Sequence, residues 1–126
     1  MPEVICEKIE RIGCITLNRP EALNALTYGM ISEIEETLEL WRNDNSVSLI
    51  ILDAKGDRAF CSGGDIADLY GEGIKGNFSF GQKFWRDEYR LNAKIYEYTK
   101  PIVSFLHGFT MGGGVGIGCH ASHRIV

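Results

Sequence analysis

Lys100 to Gly118 reads KPIVSFLHGFTMGGGVGIG, and the reading of this stretch decides the fold. Lys100–Pro101 breaks the preceding helix, because proline removes a backbone donor and disfavours a helical residue before it. PIVSFLH is then short and apolar enough for a buried strand. Six glycines follow from Gly108 to Gly118, and Met111–Gly112–Gly113–Gly114 reads as a loop that opens a helix. Upstream, VSLIILDA (Val47 to Ala54) is rich in β-branched residues and bounded by turn formers, as expected of a strand buried on both faces of a parallel sheet. A loop from Lys55 to Asp65 follows it and ends in Gly63–Gly64–Asp65.

Helices fit between these strands. Thr27 can cap one that runs to about Asn43, with Met30, Ile31, Ile34, Leu38 and Trp41 at helical spacing and Glu33, Glu36 and Glu39 on the other side. A second spans about Gly81 to Tyr98. Its inward stripe is Phe84, position 88, Leu91, Ile95 and Tyr98, and its outward face carries Lys83, Asp87, Arg90, Lys94 and Glu97. The N-terminus alternates as a hairpin from Val4 through a turn at Arg11–Gly13 to Leu17, and HRIV at the end begins another strand. Strand, helix, strand, glycine turn, helix, strand is the order of an α/β fold with right-handed crossovers.

Composition narrows the class. The chain has 126 residues, 44% hydrophobic and 24% charged, which is one ordinary globular domain. No apolar run is long enough to span a bilayer. A net charge of −4 with scattered basic residues leaves no nucleic-acid surface. The four cysteines lie far apart and form no CxxC, which suits a reducing compartment with incidental thiols. Cys119, His120 and His123 are close together, but they lack the second half of a zinc site and read as structural. The acidic start argues against a signal or transit peptide and favours a cytoplasmic protein over a processed mitochondrial one. The stop at Val126 would leave a sheet edge open, so a longer protein is expected.

Three features ask for chemistry. Phe60 to Asp65 and Met111 to Gly114 are both glycine loops after strands, where α/β folds bind ligands. Glycines there allow backbone N–H groups to approach a ligand, and two converging N–H groups make an oxyanion hole, the second helped by its helix start. Tight turns and close helix packing explain the same glycines from spacing alone. The third feature is Glu88, a carboxylate on an otherwise apolar stripe, which must be functional, paired with Arg86, Arg90 or Arg124, or at the helix edge.

LNRPEALNAL, AFCSGGDI and KPIVSFLHGFTMGGGVGIG, in this order and spacing, resemble the crotonase (enoyl-CoA hydratase/isomerase) superfamily from about Ile15 to the end. The resemblance implies a spiral of ββα turns, of which residues 1–126 are the N-terminal portion of a single domain. It implies an acyl-CoA substrate and no metal or redox cofactor, and it leaves a homo-oligomer open. It makes Gly64 and Gly113 the donors of the oxyanion hole, and it carries the CoA-lining segment onto Glu21 to Ala25. Asp65 and Ala25 join Glu88 and Gly113 as substrate-binding positions.

The catalytic glutamate that hydratases place three residues after the second oxyanion glycine falls here on Gly116. FWRDEYRLN and HGFTMGGGVGIGCHASHRI instead resemble the 3-hydroxyisobutyryl-CoA hydrolase branch, in which the residue matching Glu88 touches the acyl end. The expected reaction is hydrolysis of a short 3-hydroxyacyl-CoA thioester, with the remaining glutamate and aspartate of that branch beyond Val126. The rivals are another crotonase reaction, a non-catalytic scaffold, and a dinucleotide site at Gly116 to Ala121, which fits G-x-G-x-x-A but is separated by eight residues from its strand.

Overall fold

A computed structural model describes residues 1–76 and 78–126. Three ββα turns follow one another. The first is β1 (Val4–Ile9), β2 (Ile12–Leu17) and α1 (Tyr28–Arg42). The second is β3 (Leu49–Ala54), β4 (Ala59–Cys61), α2 (Ile66–Ile74) and α3 (Phe78–Tyr96). The third is β5 (Ile102–Phe105), β6 (Phe109–Thr110) and α4 (Gly113–Cys119), after which β7 (His123–Ile125) returns to the main sheet. That sheet has the order β1-β2-β3-β5-β7, antiparallel at the hairpin and parallel elsewhere. The second strands of the later turns, β4 and β6, leave it and pair in parallel as a small sheet of their own.

Sequence periodicity accounts for the packing. The five apolar residues at helical spacing on α1 are all buried, and Thr27 caps the helix by accepting from the Met30 N–H at 3.2 Å. They meet Ile15, Leu17, Ile50, Leu52 and Ile102 from one face of the sheet, with Phe84 and Leu91 of α3 completing the core. Trp41 lies so close to Gly13 that a Cβ there would sit 2.5 Å from the indole. The other face of β3 is only half-buried: Ile50 and Leu52 are covered, whereas Leu49 and Ile51 are partly exposed. The expectation of burial on both faces is therefore corrected, because α1 and α3 cover a single face.

Three further corrections concern the loops and α3. Residues 55–65 are not one loop, since β4 lies within them, and β6 likewise precedes the glycines at 112–114. Strands of three and two residues are too short to show a period. α2 is an additional helix that the periodicity does not reveal, and α3 begins at Phe78 instead of Gly81. Asp87 does not lie on the outward face: it is 5% exposed, accepts a hydrogen bond from the Tyr28 hydroxyl, and pairs with Arg90 at 3.3 Å.

The turn into β6 depends on Gly108. Its φ is +63°, and a Cβ there would overlap the Arg58 carbonyl. Gly71, inside α2, has no neighbouring atom within 4 Å of where a methyl group would stand. In the full-length protein, Gly108→Ala should cost roughly 2 kcal/mol or more of unfolding free energy. Gly71→Ala should be neutral or add up to about 1 kcal/mol through helix propensity. Urea denaturation of both variants checks this, and equal effects would contradict the fold at Gly108.

Candidate active site

The 23–26 segment, β4 and β6 bring the two glycine loops together. The Leu26 N–H donates to the Gly63 carbonyl at 2.7 Å, the Asp65 N–H to the Leu26 carbonyl at 2.8 Å, and the Ser62 N–H to the Leu23 carbonyl at 3.0 Å. Asn24, fully buried with φ +55°, accepts from the Arg19 N–H and donates to the Lys55 and Ala59 carbonyls. Its amide ties the segment to both ends of the β3–β4 connection. On the other side, the Met111 N–H donates to the Cys61 carbonyl at 3.0 Å. Gly114 is so near that carbonyl that any side chain at 114 would overlap it.

A cleft of about 560 Å³ opens where these loops meet. Ser62, Gly63, Gly64, Gly112 and Gly113 form its floor, and α2 and α3 form its wall with Ile66, Leu69, Trp85, Glu88, Tyr89 and Asn92. Gly64, Gly113 and Glu88, three of the sequence-derived site residues, are thus brought into one cavity. No acceptor among the described residues takes the N–H of Gly64 or of Gly113. Glu88 lies against Gly113, with one carboxylate oxygen 2.4 Å from where a Cβ of residue 113 would be. Residue 113 has to be glycine for Glu88 to stand there.

Glu88 is 6% exposed and makes no hydrogen bond or ion pair with a described residue. Arg86 and Arg90 pair with Asp87 instead, and Arg124 donates to the Cys119 carbonyl. Burial raises the Glu88 pKa above the ordinary carboxylate range. The neighbouring Cys61 thiol is pushed up to about 12, first by burial and further by the Glu88 charge, so it stays protonated at neutral pH and is no nucleophile.

Asp65 and Ala25 lie elsewhere. The Asp65 carboxylate pairs with Arg19 at 3.0 Å and accepts from the Ala67 N–H at the start of α2. It faces a separate cleft shared with Glu3, Arg19 and Tyr28. The Ala25 carbonyl accepts from Arg19 at 2.6 Å, and Ala25 does not line the main cleft. Gly116 and Gly118, the glycines of the dinucleotide reading, are buried inside α4 and form no phosphate loop. The His120 ring contacts the Gly116 carbonyl at 2.6 Å and His123 contacts Ser122, with no cluster of three metal-ligand side chains among the described residues.

Sequence reasoning missed Asn92. It follows Glu88 by one helical turn and fills the space beside Gly116, where a Cβ would sit 2.5 Å from its amide. A side chain at 116 and Asn92 cannot both be accommodated as the helices stand. The signal available in the sequence was the i, i+4 spacing of two polar residues on the stripe that holds Phe84 and Leu91.

The geometry defines an α/β protein whose cleft lies beyond the carboxyl ends of parallel strands and is floored by two glycine loops. The chain belongs to the enoyl-CoA hydratase/isomerase family, whose model matches residues 12–126. It is 46% identical to the mitochondrial 3-hydroxyisobutyryl-CoA hydrolase of Danio rerio and 45% identical to that of Homo sapiens, in each case over 98% of this chain and 32% of the relative. Among solved structures, an enoyl-CoA hydratase from Rhodobacter sphaeroides 2.4.1 superposes with a TM-score of 0.95 at 57% identity, over 98% of this chain and 36% of that one. A carnitinyl-CoA dehydratase from Mycobacterium thermoresistibile gives 0.91 at 45%, over 97% and 36%. The chain therefore spans about a third of the length of these proteins.

A carboxyl whose pKa is higher folded than unfolded binds more protons in the folded state, so stability falls as pH rises through that window. Glu88→Gln should therefore unfold at a higher temperature than the parent at pH 7.5. The advantage should narrow and disappear towards about pH 4, the ordinary glutamate range. Melting curves of the full-length protein across this interval check the sign, and a pH-independent difference would contradict a buried Glu88 whose pKa is raised.

Proposed function

We propose that the full-length protein hydrolyses a short 3-hydroxyacyl-CoA thioester to the free hydroxy acid and CoA. The observation that carries this reading is the convergence of Gly64, Gly113 and Glu88 on one cleft, with two unengaged backbone N–H groups beside a buried carboxylate. In the reaction, the oxygen of water bonds to the thioester carbon and the carbonyl oxygen takes the negative charge. The C–S bond then breaks, the acid is released, and the sulfur leaves as the CoA thiol after protonation. The Gly64 and Gly113 N–H groups would hold the developing oxyanion, a device whose loss costs about 3–4 kcal/mol per donor. Glu88 would hold the acyl hydroxyl. The group that activates water is expected outside residues 1–126, and no metal or redox cofactor takes part.

Both 3-hydroxyisobutyryl-CoA hydrolases named above support the substrate class, and the exposed Trp85 and Tyr89 give the cleft an apolar rim suited to an acyl-CoA arm. Valine breakdown is the corresponding pathway. The vertebrate relatives, named as mitochondrial, favour the mitochondrial setting over the cytoplasmic one. A second reading, hydration of an enoyl-CoA, is favoured by the name of that bacterial relative. It is opposed by Gly116, which supplies no carboxylate and whose side-chain space Asn92 occupies.

Thiol release from an acyl-CoA panel tests the proposal on the full-length protein. Fast release from 3-hydroxyisobutyryl-CoA or 3-hydroxypropionyl-CoA, with little change of crotonyl-CoA, is expected. Loss of the crotonyl-CoA enoyl absorbance without thiol release would replace the hydrolase by a hydratase. Glu88→Gln should lower kcat/KM for 3-hydroxyacyl substrates at least tenfold more than for plain acyl ones, the scale of a lost charged hydrogen bond. Equal losses would remove Glu88 from the hydroxyl.

A further inference from the structure

Asn92 has a buried side-chain oxygen with no hydrogen-bond partner, and neither end of its amide is engaged by a described residue. Such a group is costly unless something else satisfies it. Its place makes that something identifiable. It lines the same cleft as Gly64, Gly113 and Glu88, one helical turn beyond Glu88 on α3. Both polar side chains lie on the glycine face of α4, Glu88 against Gly113 and Asn92 against Gly116. The two bare positions three residues apart on α4 make room for two polar groups four residues apart on α3.

On the proposed reading of this cleft as an acyl-CoA site, we propose that Asn92 is a specificity-determining residue, whose amide hydrogen-bonds the hydroxyl of the acyl chain together with Glu88. A hydroxyl is both donor and acceptor. The Asn92 oxygen accepts a hydrogen bond from it, and the Glu88 carboxyl, whose pKa burial raises, stands on the other side. An acyl chain without the hydroxyl leaves the Asn92 oxygen buried and unpaired. The site therefore discriminates by the penalty of an unsatisfied polar group, which selects more sharply than apolar fit. The same amide closes off the space of a side chain at 116, so one residue both selects the hydroxyacyl group and excludes a second carboxylate from α4.

The test uses the full-length protein and two variants. Asn92→Leu keeps the volume and removes both polar atoms, while Asn92→Asp keeps the acceptor oxygen. Thiol release from 3-hydroxyisobutyryl-CoA and from isobutyryl-CoA gives the hydroxy-to-plain preference as a ratio of kcat/KM values. Asn92→Leu should reduce that ratio about tenfold or more, chiefly by losing the hydroxy substrate, and Asn92→Asp should keep it within about threefold. The Kd ratio of the corresponding non-hydrolysable thioether analogues is measured alongside, so that a parent protein without thioesterase activity is still informative. In that case the proposed reaction fails, while a Kd preference lost only in Asn92→Leu still upholds the role of Asn92. If Asn92→Leu changes both members of each pair equally, or neither, Asn92 has no part in specificity, even where Glu88→Gln supports the hydrolase reading.

Discussion

The close approach of two backbones at the β4–β6 contact is the constraint on which the site depends. The parallel pair is only a few residues long, yet it places the Cys61 carbonyl within 3.0 Å of the Met111 N–H and directly over Gly114. Each strand then ends in glycines, and a Cβ added at Gly63, where φ is +127°, would reach the backbone of Met111 and Gly113. Side chains at 108 or 114 would force these strands apart. Gly64 and Gly113 line one cavity because the glycines let the loops meet. The close approach bears out the packing explanation of these glycines, and the site proposed for Gly64 and Gly113 would use the same approach.

The position of α3 is fixed by charge. Tyr28 donates to Asp87, Arg90 joins Asp87 to Glu35 of α1, and Lys94 reaches both Glu35 and Glu39. This ladder along the α1–α3 seam sets the rotation of α3 and so turns Glu88 and Asn92 towards α4. Pairs this exposed add little stability individually, and their value lies in register. Phe84 and Leu91 anchor the same rotation from the core. Glu88 is thereby held buried and unpaired, a destabilising arrangement of the sort that proteins keep at functional sites.

Long periodic elements were legible in the sequence, and short ones were not. The stripe from Met30 to Trp41 identified α1 together with its Thr27 cap, and the apolar runs identified β3 and β5. β4 and β6 carry no period and take their form from pairing with each other across some fifty residues. The Asp87 error has a different origin. Helical spacing put Asp87 beside charged neighbours, but Tyr28 and Arg90 lower the cost of burying it, and such pairing is invisible to periodicity. The loops and the broken stripe pointed to the glycine turns and to Glu88, and the resemblance singled out Gly64 and Gly113, whereas an asparagine at a stripe edge such as Asn92 is unremarkable until Gly116 is seen beneath it. Asp65 and Ala25 carried over from the resemblance, and their geometry is that of a brace: Arg19 holds both and steadies the glycine loop.

The relatives are about three times as long as this chain, and residues 1–126 supply the floor and wall of the cleft described above. The central claim is that Gly64 and Gly113 receive a thioester carbonyl beside Glu88. A crystal structure of the full-length protein with a non-hydrolysable amide analogue of a short 3-hydroxyacyl-CoA tests it most directly. The account predicts the acyl carbonyl oxygen at about 3 Å from both backbone nitrogens, within hydrogen-bond distance, with the hydroxyl against Glu88. A carbonyl bound away from either glycine, or an acyl chain outside this cleft, would contradict it.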